Sequence, residues 1–480
     1  MPPPSYLPRL LIAAAAALQA THGWAYVPDE RWSFAASGPA GVEGDPVTLT
    51  WSFVDDGASI SDGESSNLIS YLDDQFNVQS PTDDLTDRPW FTLFERSFDR
   101  WSELGGVTFQ YEAHDDGQQL GSGSGALGVR GDIRIGGKHV DGPNGTLAYT
   151  WLPNNGDMVI DTGETAFYSN PSNDYRQFRN TVMHEVGHAL GLLHVESDDS
   201  RLLLEPYITT TFDGPQLDDI RGLHALYGDA YEKTYNGQGN GAYTRATPLG
   251  KLVPGGELAV GSDAAGNQSV DPLETDFVSI ANNSDRDFFS FTVDAPATLD
   301  ATLTPLGGVF NQAAQGGVQS TFDANARNDL RLAIFAPNGM TPIAVVDAAD
   351  AGGVESLSGF ALDSPGQYYA RVMGGDDNVQ FYELRLSAAA PLLVLAGDYN
   401  GDGVVDAADY TVWRDSLGQS GQSLAADGNG DLLVDSADYG LWRSNFGESA
   451  ATVGLAENAP EPAAVLLLAS GGLACLRRRR

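Results

Sequence analysis

Three of the chain's seven histidines fall within one stretch, HEVGHALGLLH, at residues 184–194. On a helix, His184 and His188 stand one turn apart on the same face, so both imidazoles can reach one ion. Gly191 has no Cβ and can take a positive φ, which ends the helix and swings His194 back as a third ligand. Three imidazoles leave the fourth tetrahedral position for water, the open coordination of a catalytic rather than a structural zinc. Glu185, one residue round from His184, can touch that water without being a ligand. The competing reading is an amphipathic core helix with satisfied histidines. Five fixed positions in the order H-E-x-x-H-x-x-G-x-x-H, with Met183, Val186, Ala189, Leu190 and Leu192 as apolar filling, favour zinc.

A second constellation is built from carboxylates. DYNGDGVVDAAD begins at Asp398 and DGNGDLLVDSAD at Asp427, and matching segments YTVWRDSLG and YGLWRSNFG follow, each predicting a short helix. In the first loop Asp398, Asn400, Asp402, Asp406 and Asp409 occupy positions 1, 3, 5, 9 and 12, with the Val404 carbonyl at position 7. The second loop repeats this with Asp427, Asn429, Asp431, Asp435 and Asp438 and the Leu433 carbonyl. Alternating oxygens in a twelve-residue loop are how calcium is wrapped. Part of the formal charge of −39 is therefore patterned rather than merely solvating. The same charge argues against a nucleic-acid surface, which needs clustered Lys and Arg.

The elements that must position the histidines precede them. Residues 47–53 (VTLTWSF) read as a strand, and 88–104 as an amphipathic helix with Trp90, Leu93, Phe94, Trp101 and Leu104 at helical spacing. Strands follow at 107–112, 132–137, 147–151 and 157–161, then the histidine helix from near Tyr175, then a helix over 215–228. Sheet first and site helix after it predicts an α+β unit.

These pieces together resemble the catalytic domain of matrixins, a branch of the metzincin zinc peptidases, over roughly residues 30–229. The carriers are the long histidine motif, FDRWSEL before VTFQY, DGPNGTLAY at 141–149, DMVIDTGE at 157–164 and QLDDIRGLHALYG at 216–228. The resemblance implies His184, His188 and His194 as zinc ligands, Glu185 as general base, and peptide-bond hydrolysis of a protein or peptide substrate paired along residues 147–151. It further implies a calcium site at Asp141, Asp161 and Glu164, for which a capped polar loop is the alternative. The chain departs from the family after His194, where VESDDSRLLLEPYITT holds no methionine; Leu203 or Leu204 is expected to fill that apolar turn. Tyr149 and Met158 stand where ligands of a second, structural zinc are expected, so that ion is not expected. No cysteine lies near the N-terminus to hold the zinc latent, and the expectation is a protein without a folded prodomain.

Downstream, residues 230–257 are Gly-rich and polar and read as a linker. Alternating patterns at 286–293, 297–306, 329–337, 366–374 and 380–388 predict a β-sandwich over 258–390. DRDFFSFTV, SPGQYYARV and YELRL resemble the bacterial pre-peptidase C-terminal domain, which implies an accessory or substrate-binding role. The calcium repeat over 395–448 resembles a type I dockerin, an all-α calcium-loop module, and implies a cohesin partner; Leu432 replaces the usual Gly at position 6. Residues 1–25 read as a signal peptide. The lone cysteine, Cys475, excludes an intramolecular disulfide. Residues 459–480, PEP followed by an apolar run and four arginines, resemble the PEP-CTERM sorting signal and imply an exosortase that removes the tail. The whole predicts a multidomain, secreted or surface-directed zinc endopeptidase. The rival is a non-enzymatic calcium-dependent adhesion or scaffold protein whose matrixin-like domain has lost turnover; the intact Glu185 favours the enzyme and the missing methionine the rival.

Overall fold

The computed structural model describes residues 26–28, 30–198, 201–265, 269–390 and 395–449. The expected signal peptide and sorting tail lie outside them. Among the described residues no helix is long and apolar enough to cross a membrane. The chain forms two compact units that part between Ala389 and Ala390.

The first unit begins with a five-stranded sheet. Its strands are β1 (Val47–Phe53), β2 (Val107–Tyr111), β3 (Ile133–Lys138), β4 (Ala148–Thr150) and β5 (Met158–Asp161), in spatial order β2-β1-β3-β5-β4. All pairs are parallel except β4 with β5, which puts the short antiparallel β4 at one edge. Central parallel strands are covered on both faces, which is why all four residues of β5 are buried and why the Thr and Ser that alternate with the apolar residues of β1 are mostly buried too. Between β1 and β2 lie α1 (Leu68–Gln75) and α2 (Phe91–Leu104). The expected helix start at 88 is replaced by a 3₁₀ turn at Leu85–Asp87, and the α-helix begins at Phe91. Its buried face carries Phe91, Phe94, Phe98 and Trp101, and Phe98 stacks on Trp51 of β1 with ring centroids 4.6 Å apart.

The histidine helix, α3 (Arg176–Ala189), lies against α2, where the Trp101 indole donates to the Met183 carbonyl at 2.9 Å. Beyond it come β6 (Val195–Ser197) and α4 (Leu217–Tyr227). At the N-terminal end Val27–Pro28 pairs antiparallel with Leu192–Leu193, and the Trp32 indole donates to the Ala189 carbonyl at 2.7 Å. The extreme start of the described chain thus braces the segment that leads out of α3.

The β-sandwich stacks two five-stranded sheets. One contains β7 (Thr247–Lys251), β9 (Arg286–Val293), β13 (Leu330–Phe335), β14 (Pro342–Val346) and β16 (Gly366–Gly374), in order β7-β9-β16-β13-β14. The other has β8 (Glu257–Val260), β10 (Ala297–Leu306), β15 (Glu355–Leu362) and β17 (Gln380–Ala389) in order β8-β17-β10-β15, with Ser279–Ile280 also pairing β17. A further hairpin, β11 (Val309–Ala314) and β12 (Ser320–Asp323), leaves the sandwich and adds to β6. Residues 230–257, expected as a linker, are structured. They hold a 3₁₀ turn at Ala230–Lys233, then β7, which pairs parallel to β9, and the first residue of β8. Gly and polar residues there serve turns and an edge strand, which composition alone does not distinguish from flexible chain.

No solvent layer separates the two parts of this unit. Ala264, Val270, Phe277 and Phe381 lie in the same buried cluster as Ile220 and Leu223 of α4. Fully buried His224 takes a 2.8 Å hydrogen bond with Ser279 Oγ and a 2.7 Å bond with the Leu104 carbonyl. Burial lowers its pKa to about 4, so the imidazole bridges the two parts uncharged.

The second unit holds α5 (Ala407–Ser416) and α6 (Ser436–Asn445) around Tyr399, Ala426 and Val434. Its two halves mirror each other: the Trp413 indole donates to the Asp435 carbonyl at 2.8 Å, and the Trp442 indole to the Asp406 carbonyl at 2.7 Å.

Candidate metal centre and calcium loops

The helix α3 delivers His184 and His188 to one face, and the chain then turns at Gly191, whose φ is +100°. A Cβ there would meet the Glu30 carbonyl oxygen at 2.2 Å, so both the dihedral and the close approach require glycine. The turn returns His194 to the other two. His194 Nε2 stands 3.1 Å from His184 Nε2 and 3.1 Å from His188 Nε2. Zinc–nitrogen bonds of roughly 2.0–2.1 Å at tetrahedral angles need ligand nitrogens about 3.3 Å apart, so the three converge at the spacing one zinc requires.

Each ring is held from behind. His184 Nδ1 lies 2.6 Å from the Leu203 carbonyl, His188 Nδ1 2.7 Å from the Leu192 carbonyl, and His194 Nδ1 3.0 Å from Gln315 Oε1. All three partners are acceptors, which puts the proton on Nδ1 and leaves every Nε2 lone pair facing the common centre. Burial and the neighbouring imidazoles lower His184 well below its usual value, and burial followed by His194 lowers His188 to about 4. Neutral imidazoles are what a metal needs.

Glu185 is 5% exposed, and its Oε2 accepts from Thr150 Oγ1 at 2.8 Å. Burial raises its pKa to about 7. Thr150 belongs to the edge strand β4, so the sheet edge orients the carboxylate. The three histidines and Glu185 open into a cleft of about 1150 Å³, also lined by Leu147, Tyr149, Thr150, Tyr207 and Ile208.

Both leucines of the expected apolar turn are used. Leu203 supplies the carbonyl behind His184, while Leu204 packs under α3, where a Cβ on Gly187 would come within 3.0 Å of it. Asp219, the third residue of α4, accepts from the Leu203 and Leu204 amides at 2.8 and 3.1 Å and fixes this floor. Sequence reasoning missed Thr150, Asp219 and Gln315. Only Asp219 had a local signal, the Gln216–Asp219 spacing of a capping box.

Asp161 ends β5, and Asp141 and Glu164 lie on the neighbouring loops; among the described residues the three do not form a group with carboxylate oxygens within 4.8 Å of one another, and their oxygens are turned to backbone amides. Asp161 accepts from Val140, Gly142 and Gly163, Asp141 from Thr146, and Glu164 from Gly145. The loops of the second unit are wrapped by their predicted residues. Asp398 accepts from Gly401, Asp402 and Gly403, Asn400 Oδ1 from Asp402, and Asp402 Oδ1 from Val404. Asp409 accepts from Tyr399, Asn400 and Asp406. The second loop repeats the pattern: Asp427 accepts from Asp431 and Leu432, Asn429 Oδ1 from Asp431, Asp431 Oδ1 from Leu433, and Asp438 from Gly428, Asn429 and Asp435. Asp406 and Asp435 also cap α5 and α6.

Residues 70–228 match the family described as Matrixin, and 285–374 the bacterial pre-peptidase C-terminal domain. Interstitial collagenase of Sus scrofa is 31% identical over 156 residues, 32% of this chain and 31% of that protein. Neutrophil collagenase of Homo sapiens is 42% identical over 94 residues, 18% of this chain and 19% of its own length. The chain thus spans about a third or less of these relatives. A solved pre-peptidase C-terminal domain of collagenase from Bacillus anthracis is 15% identical over 30% of this chain and 93% of its own, with a TM-score of 0.17, at which the likeness carries no conclusion.

Proposed function

We propose that this chain is a zinc-dependent endopeptidase of the metzincin kind. The observation that carries the reading is the convergence of three imidazole Nε2 atoms, at 3.1 Å from one to the next, beside a buried glutamate that is not one of them. Zinc in that position supplies Lewis acidity, polarising a scissile carbonyl and making water nucleophilic near neutral pH. His184, His188 and His194 would hold the ion, and their Nδ1 hydrogen bonds orient the three rings for it. Glu185 takes the proton from the attacking water and returns it to the leaving amine, while Thr150 keeps the carboxylate aimed. An extended peptide adds to the free edge of β4, so that its backbone lies over α3.

The test separates enzyme from scaffold. Glu185→Ala should keep about one zinc per chain while hydrolysis of a mixed peptide library falls by on the order of a hundredfold or more. Equal cleavage by parent and variant refutes the base role. Zinc binding by a parent that cleaves nothing across the library favours the adhesion reading.

The same proposal extends to the other parts. The duplicated loops bind calcium through their predicted oxygens in a dockerin-like pair, which takes a cohesin-like partner. Asp141, Asp161 and Glu164 form a further calcium site, in which the ion replaces part of the present amide contacts. The chain is exported, and an exosortase removes its C-terminal tail. The ladder of alternating oxygens and its repetition at Asp398 and Asp427 support the calcium assignment.

A further inference from the structure

The strand that carries the chain away from the third histidine is paired by the other domain. Val195, Glu196 and Ser197 of β6 lie opposite Ala314, Ala313 and Gln312 of β11 in an antiparallel ladder. One step further along the same register, the Gln315 amide donates to the His194 carbonyl at 3.4 Å, and Gln315 Oε1 stands 3.0 Å from His194 Nδ1. Directly opposed residues of an antiparallel pair share a face, so this register turns the amide side chain toward the imidazole; a slip of one residue would turn it away.

The register is anchored on both sides. Gln312, 2% exposed, donates from Nε2 to Asp218 Oδ2 of α4 at 3.0 Å. Asn311 Nδ2 donates to Asp198 at 3.0 Å. Phe322 of β12 lies under the Arg221 guanidinium, 4.5 Å from its carbon. These contacts hold the hairpin on α4 and β6 without help from Gln315.

We infer that Gln315, from the pre-peptidase C-terminal domain, is a positioning residue for His194, so that the second domain completes the metal centre of the first. The inference rests on the zinc reading given above. His184 and His188 find backbone carbonyls within their own domain, at Leu203 and Leu192. His194 takes a side-chain acceptor from 121 residues away. By accepting the Nδ1 hydrogen, Gln315 fixes the tautomer that leaves Nε2 free and stops the ring from rotating, and such support typically contributes about 10–100-fold in metal affinity.

The experiment measures zinc dissociation by chelator competition in the full chain, with cobalt-substituted absorption as a spectroscopic reading of ligand geometry. Gln315→Leu keeps size and removes the acceptor. It should weaken zinc by about 10–100-fold and alter the cobalt bands, while hydrogen exchange at Val195–Ser197 stays protected because the ladder to β11 remains. Gln315→Glu restores an acceptor of the same length and should return affinity to the parental level or better. Unchanged zinc affinity and cobalt bands in Gln315→Leu overturn the inference, as does an equal loss in Gln315→Glu. A parent that binds no zinc overturns the zinc reading itself and the inference with it, and is distinguished by needing no variant to show it.

Discussion

Position 6 of each duplicated loop tests whether backbone strain sets calcium affinity. In the first loop the residue after Asp402 is Gly403, at φ +83°; in the second the residue after Asp431 is Leu432, at φ +70°. Glycine occupies the left-handed region freely, whereas a residue with a Cβ is strained there by about 1–2 kcal/mol. Leu432 is 51% exposed, so its side chain offers little burial to offset that strain. Replacing it with glycine removes the strain but adds roughly 0.5–1 kcal/mol of chain entropy lost on ordering. The net gain is about 0.5–1 kcal/mol, which is two- to fivefold in affinity. The assay is calorimetric calcium titration of the full chain carrying Asp398→Ala, which isolates the second loop. Leu432→Gly should tighten that loop, and Gly403→Leu in an Asp427→Ala background should weaken the first by a similar factor, about two- to fivefold. If both changes leave affinity within experimental error, strain at position 6 does not limit binding and the reasoning fails.

Two further outcomes follow from buried groups. Leu204 floors the histidine helix, so Leu204→Met should cost under about 1.5 kcal/mol in urea unfolding and Leu204→Ala about 2–5 kcal/mol; equal costs would show that the turn bears no load. Glu232 lies with Asp285 and Asp287, their carboxylate oxygens within 4.8 Å of one another, and burial, then Asp285 and Asp229, raise it to about 9 against a partial offset from Arg245. Because the folded value lies above the unfolded one, its contribution is full below about 4.5 and is lost as pH rises toward about 9. In buffer without divalent cations, the melting temperature of the parent should fall over that range more steeply than that of Glu232→Gln. Parallel slopes would contradict the assignment.

Local pattern was enough to read most of the scaffold. β1, β9, β10 and β16 run over the residues their alternation or apolar runs predict, because a strand with a committed face reveals it at short range. The histidine triad was legible for the same reason: two of its members share one helix face and glycine announces the turn to the third. The β11–β12 hairpin was not legible. Its strands read VFNQAA and STFD, which commit no face to the sandwich core, since their partner is β6 of another domain. Thr150 and Gln315 escaped notice because a hydrogen bond between residues 35 or 121 positions apart leaves no trace in spacing. The structured segment at 230–257 was misread because an edge strand with Pro248 and Gly250 has the composition of a linker.

The shared core beneath α4 bears on how the peptidase proposed above would survive its own company. Proteolysis needs several residues of chain that can be drawn out straight, and the joints between domains commonly provide them. Here the joint is tied down: Lys233 donates to the Ser102 and Val107 carbonyls, Asp229 accepts from Tyr231 and Ser279, and β7 is hydrogen-bonded into its sheet. Between these ties the turn at 235–238 is exposed, so cleavage of one copy by another at the junction is confined to that short turn, while residues 229–233 and 247–251 are held by hydrogen bonds.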